Sequence, residues 1–134
     1  MAENKIALTV ITPSRKMYSG EADMVIMRTK SGDVGIMHGH QPMVTVLGYG
    51  VMRIQNEGEE DKTAAVFGGF AEINSEGITV LTDAAEWAED IDLSRAEEAR
   101  KRAEERLRSR SADIDILRAE MALKRSLIRI GLKN

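Results

Sequence analysis

Gly77-Ile-Thr-Val-Leu-Thr-Asp-Ala-Ala-Glu-Trp-Ala-Glu-Asp-Ile-Asp-Leu-Ser-Arg-Ala-Glu-Glu-Ala-Arg100 is the stretch in which the chain changes its physics. Its first residues alternate, with Ile78 and Val80 on one side, as a half-buried strand does. Its last residues set Leu93, Ala96 and Ala99 three apart, as one face of a helix does. The charge changes at the same place. Residues 1–90 hold 7 Lys/Arg and 14 Asp/Glu, a net −7, and residues 91–134 hold 12 and 8, a net +4. The acidic part is punctuated by glycines, whereas the basic part has neither glycine nor proline before Gly131.

Upstream of this stretch, short apolar runs recur between turns. Lys5–Ile11 aligns Ile6, Leu8 and Val10 on one face. Asp23–Thr29, Met43–Leu47, Gly50–Gln55, Lys62–Phe67, Gly69–Ile73 and Gly77–Thr82 continue the series. Ser31-Gly-Asp33 and the acidic Glu57–Asp61 read as turns. This spacing predicts an antiparallel sandwich or barrel. Downstream, Asp92 or Ser94 can cap a first helix whose face is Leu93, Ala96, Ala99, Ala103 and Leu107. Ser109–Asp113 breaks the pattern, and Asp113 can cap a second helix. Ile114, Leu117, Met121 and Ile128 form its expected stripe, widened by Leu123, Leu127 and Ile130, with Gly131 as its stop. The short connection predicts antiparallel neighbours. Because the first helix offers mainly alanines, its docking energy is modest, and a detachable arm is expected.

Composition removes several kinds of chemistry. The chain has no cysteine, hence no disulfide, thiolate nucleophile or cysteine-based metal site. No nucleophile elbow or phosphate-cradling loop is present. No secretory leader opens the chain, and no run approaches the length of a spanning helix. Only five aromatics occur, none interleaved with the basic tail, which argues against nucleic-acid binding. The densest loop, Gly32–Met43, contains Asp33, His38 and His40. His-Gly-His sends its rings to opposite faces when extended, and no third strong ligand follows, so no metal is expected.

The tail carries a second constellation. Arg95 and Arg102 are two turns apart on one face, and Arg125 and Arg129 are one turn apart. A hairpin closing near residue 110 brings Arg95 toward Arg125 and Arg129. Three readings are open: converging guanidiniums that hold a polyphosphate, the solvated face of a charged helix, or a basic surface for an acidic protein. The last would use Arg118, Lys124, Arg125, Arg129 and Lys133.

Gly32-Asp-Val-Gly-Ile36, Gly39-His-Gln-Pro-Met43, Gly68-Gly-Phe-Ala-Glu-Ile73 and Thr79-Val-Leu-Thr-Asp-Ala-Ala-Glu86 then occur in order. Together with the two-helix tail they resemble the epsilon subunit family of bacterial F-type ATP synthases over essentially the whole chain. The resemblance implies a flattened ten-stranded β-sandwich over residues 1–86 and a regulatory helical hairpin over 87–134. It implies a non-catalytic subunit of the central stalk, bound to the gamma subunit and to the ring of c subunits, with Asp33 and His40 facing the ring. The membrane would be reached only through partner subunits, at the cytoplasmic face of the bacterial plasma membrane. When extended, the hairpin would meet the alpha and beta subunits and inhibit ATP hydrolysis.

Part of this family binds ATP in the folded hairpin, marked by Ile/Leu-Asp-x-x-Arg-Ala. Ile91-Asp92-Leu-Ser-Arg95-Ala96 is a full match. The same resemblance places further nucleotide contacts on Glu86, Arg102, Arg125 and Arg129. It implies ATP as a regulatory ligand, with or without magnesium, and no catalytic cofactor. The competing expectation is a constitutive rotor connector that senses no nucleotide.

Overall fold

Strand alternation survives into three dimensions wherever one face is buried. The computed structural model describes residues 4–109 and 115–133. Ten strands precede two helices: β1 Ile6–Ile11, β2 Lys16–Ala22, β3 Met24–Thr29, β4 Gly32–Ile36, β5 Met43–Val46, β6 Tyr49–Gln55, β7 Lys62–Phe67, β8 Phe70–Asn74, β9 Gly77–Leu81 and β10 Ala85–Trp87. A 3-10 turn, Ala88–Asp90, leads to α1 Leu93–Ser109 and α2 Ile116–Lys133. The chain divides into two compact units, Met1–Trp87 and Ala88–Asn134.

The first unit is a β-sandwich of two five-stranded sheets, ordered β2-β1-β9-β8-β5 and β10-β7-β6-β3-β4. Every pair is antiparallel except β1 with β9, which run parallel, Leu8 opposite Ile78 and Val10 opposite Val80. Between the sheets lie Leu8, Val10, Ile73, Ile78 and Val80 from the first, and Val25, Met27, Met52 and Ile54 from the second. Each burial follows the period of two expected of a strand with one wet face. Side chains of this size stabilise by about 1.5–3 kcal/mol each when fully buried.

Gly69 shows how closely the backbone folds at one corner. It sits at φ 101°, and a Cβ there would collide with the Leu81 carbonyl and lie 2.6 Å from Thr82 Cα. Thr82, itself buried, donates its hydroxyl to the Gly68 carbonyl at 2.7 Å and holds the same corner.

The strands expected from sequence are present, and three more accompany them: β2, β4 and β10. β4 occupies part of the Gly32–Met43 segment read as a loop. All three are edge strands with a neighbour on one side only. Such strands need few apolar residues and commonly carry charge or glycine, which hides them from pattern reading.

In the second unit α1 packs on α2. Lys133 Nζ donates to the Glu89 carbonyl at 3.4 Å, which sets the end of α2 beside the approach to α1 and makes the helices antiparallel. Asp92 caps α1 by accepting the Arg95 N–H at 3.2 Å, and Ser94 is inside the helix. Asp115 caps α2 through the Arg118 N–H at 3.1 Å. Asp113, the expected cap, and Ile114 lie outside the described residues.

The seam of α2 differs from the expected stripe. Its buried residues are Ala119 and Ser126, while Leu117 and Leu127 are 68% and 50% exposed. Small residues face small residues: α1 contributes Ala96 and Ala103. Ser126 can be buried because its hydroxyl donates to the Leu123 carbonyl one turn back, at 2.8 Å. Gly131 does not stop the helix, which runs on to Lys133.

Candidate functional site

The seam fixes where the arginines go. Arg95 directly precedes buried Ala96, and Arg102 directly precedes Ala103. On α2, Arg125 directly precedes Ser126, and Arg129 follows it by three. In helical angle all four lie roughly 60–100° to the same side of the seam. In antiparallel helices that offset points to one common flank of the pair. Matching the two seams, whose buried residues are both seven apart, sets Ala96 near the level of Ser126 and Ala103 near Ala119, and the Lys133–Glu89 contact agrees with that register. Arg95 then falls between Arg125 and Arg129, about 3 Å along the axis from each, and Arg102 lies about 7.5 Å from the level of Arg125.

Arg95 and Arg102 are exposed, whereas Arg125 and Arg129 are half-buried. Among the described residues Arg95, Arg102 and Arg125 form no ion pair, while Arg129, Lys124 and Glu86 are each engaged in a polar or other specific contact. The helical pair Arg100–Glu104, at 3.3 Å, lies on the other flank. The sequence grouped Arg118 with Arg125 and Arg129 only as a basic surface for an acidic protein. Because it directly precedes buried Ala119, Arg118 joins the same flank nearer the turn. Its seven-residue spacing from Arg125 agrees with this.

The remaining candidates divide by role. Asp92 is exposed and lends one carboxylate oxygen to the α1 cap. Ile91 and Ala96 are 4% and 3% exposed, so both are packing residues in this conformation. Glu86 lies on β10 in the first unit, opposite Ala65 of β7. Lys124 and Lys133 are exposed on α2.

Asp33 and His40 lie toward opposite ends of the β4 segment. Asp33, near its start, is opposite Arg28 of β3. It accepts Arg28 Nε at 2.6 Å and Nη2 at 3.3 Å. That fork holds the Asp33 carboxyl below the usual carboxylate range. His40 follows β4, and its Nδ1–H donates to the Gln41 carbonyl at 2.7 Å. With His38, Lys5 and Glu76 it lines an open groove of about 500 Å³. Among the described residues no cluster of three His, Asp or Glu could hold a metal ion.

The outer face of the first sheet carries an exposed apolar row. Val46 on β5 faces Phe70 on β8, which faces Leu81 on β9. Their exposures are 53%, 45% and 37%, and Val44 beside them is 68% exposed. A contiguous row of this kind commonly marks a protein interface.

Residues 5–88 match the family described as ATP synthase, Delta/Epsilon chain, beta-sandwich domain, and residues 89–133 match ATP synthase, Delta/Epsilon chain, long alpha-helix domain. The chain belongs to this family. Among curated relatives it is 45% identical over 110 residues to the ATP synthase epsilon chain of Brevibacillus brevis, covering 82% of this chain and 83% of the relative. The epsilon chain of Alkaliphilus metalliredigens is 49% identical over 104 residues, 78% of this chain and 77% of that one. That of Caldanaerobacter subterraneus is 42% identical over 124 residues, 92% and 89% of the two chains.

Among solved structures, a chain of the Euglena gracilis mitochondrial ATP synthase, in an assembly of OSCP, F1 and c-ring, superposes with a TM-score of 0.80 at 25% identity. The match covers 90% of this chain and 76% of that one. A chain of the Tetrahymena thermophila mitochondrial ATP synthase central stalk and c-ring gives 0.61 at 15% identity, covering 98% and 96%, and bears on the fold alone. As a member of the family this chain has a β-sandwich followed by a helical hairpin. Among its described residues no helix is long and apolar enough to cross a membrane.

Proposed function

We propose that this chain is a non-catalytic central-stalk subunit of a rotary ATP synthase, and that its hairpin senses ATP. The observation that carries the sensing is the common flank of Arg95, Arg102, Arg125 and Arg129. Guanidiniums gathered on one flank repel one another, and a triphosphate between the helices relieves that repulsion. Asp92 orients the base or ribose. Magnesium, where present, sits on the phosphates.

ATP bound across both helices holds the closed hairpin and has no comparable site on an open one. It therefore shifts the population by differential affinity. When ATP falls, α2 offers Arg118, Lys124, Arg125, Arg129 and Lys133 to acidic surface on the alpha and beta subunits, and hydrolysis slows. The sandwich supplies the fixed end of the lever. Its apolar row around Phe70 seats the gamma subunit, and Asp33 and His40 meet the c ring. Through these partners the chain works at the cytoplasmic face of a bacterial plasma membrane, a setting supported by its bacterial relatives.

Isothermal titration of the full chain with ATP tests the sensor. Heat is expected, and Arg95→Ala together with Arg129→Ala should weaken binding at least about tenfold, since each charge-assisted contact contributes about 1.5–3 kcal/mol. No heat at millimolar ATP, or equal affinity in the double variant, overturns this reading.

A further inference from the structure

Asp33 does not stand alone at the edge of the second sheet. Arg28 lies directly across from it in the β3–β4 register and grips both carboxylate oxygens with Nε and Nη2, at 2.6 and 3.3 Å. The geometry is a side-on fork, which is more directional than a single-point pair. The Arg28 stem is itself held in place. A Cβ at Gly50 would collide with Arg28 Cβ and lie 2.6 Å from its Cγ. A Cβ at Gly48 would stand 3.6 Å from the same Cγ, and the Gly48 N–H donates to the Arg28 carbonyl at 3.0 Å. Neither glycine has a positive φ, so backbone conformation does not require them. What Gly50 provides is room for Arg28, while a side chain at Gly48 would only touch it.

We propose that Arg28 is a positioning residue for Asp33, so that this edge offers its partner a charge-neutral, pre-oriented Arg–Asp unit rather than a free carboxylate. The proposal rests on the reading of Asp33 as a contact with the rotor ring. It deepens that reading by naming the chemistry of the contact. Each Asp33 oxygen keeps a lone pair beyond the fork, and the side chain is about half exposed. The partner group it suits is an uncharged hydrogen-bond donor, such as an amide or hydroxyl. A cation there would have to compete with Arg28.

The test measures the affinity of the full chain for the ATP synthase complex depleted of it, across a series of salt concentrations. Thermal melting of each variant confirms that it is folded. Asp33→Asn and Arg28→Ala should each lose about tenfold, one charge-assisted hydrogen bond, and the double variant should be no worse than either single. Their salt slopes should shift in opposite directions, because one leaves a lone cation and the other a lone anion. Arg28→Lys keeps the charge balance without the fork, so it should restore the slope and not the affinity. Wild-type binding by Asp33→Asn overturns the contact reading, and the proposal with it. Weakened Asp33→Asn beside wild-type affinity in Arg28→Ala or Arg28→Lys overturns the positioning role alone.

Discussion

The β-sandwich and the helical hairpin are held together by different amounts of the same force. The sandwich buries Leu8, Met27, Ile36, Met52, Ile54 and Ile73 to 2% exposure or less. The seam of the hairpin is Ala96, Ala103, Ala119 and Ser126. At about 25 cal/mol per Å², an alanine methyl contributes well under what a leucine does. Isolated helices of 17 and 18 residues are themselves near the margin of stability. The lesson is a division of labour within one chain. A platform has to be insensitive to its ligands, whereas a sensor has to sit close enough to balance for a ligand to tip it.

The strongest way to break this comparison is to remove one side of it. Deleting residues 91–134 should leave the sandwich with a cooperative melting transition, followed by the near-ultraviolet signal of Trp87. In the assembled complex the deletion should raise ATP hydrolysis. Unchanged hydrolysis would favour the constitutive connector, and loss of the transition would end the idea of an independent platform.

Matched substitutions come next. Leu8→Ala should lower sandwich stability by about 2–5 kcal/mol in urea unfolding. Ala103→Gly should cost only about 1 kcal/mol, seen as reduced helical circular dichroism with the sandwich midpoint unmoved. Equal costs would mean that the two units share one cohesive core.

The smallest expected effect sharpens the platform side. The Asp23 carboxyl lies below its ordinary value because it accepts the Glu57 N–H and, next, a contact from Lys5. A depressed folded-state value means stability that is complete above the ordinary carboxylate pKa and is lost as pH falls through the folded one. Wild-type melting temperature should therefore fall more steeply below about pH 4 than that of Asp23→Asn. Identical slopes would show that this exposed knot contributes nothing to the fold.

How far the fold was legible depended on how many neighbours an element has. Six of the seven expected strands, all but β5, are interior to their sheets, and packing on both sides demanded clear apolar alternation. β2, β4 and β10 escaped notice because Lys16–Ala22, Gly32–Ile36 and Ala85–Trp87 each answer to one neighbour. The α2 stripe was misjudged for a related reason. Leu117 and Leu127 were chosen for hydrophobicity, yet close helix approach selected Ala119 and Ser126 for size. The arginine pairs were legible as spacing within each helix.

Sequence alone determined the two modules, their opposite charge, the helical pairing of Arg95 with Arg102 and of Arg125 with Arg129, and the family motifs. These are local properties, set by residue type and by periods of two and 3.6. Only the tertiary structure decided that all four arginines share a flank. It also decided that Asp33 is already gripped by Arg28 and that Val46, Phe70 and Leu81 form one row. Each of those depends on register between segments far apart in the chain, and register follows from packing, which no single segment encodes.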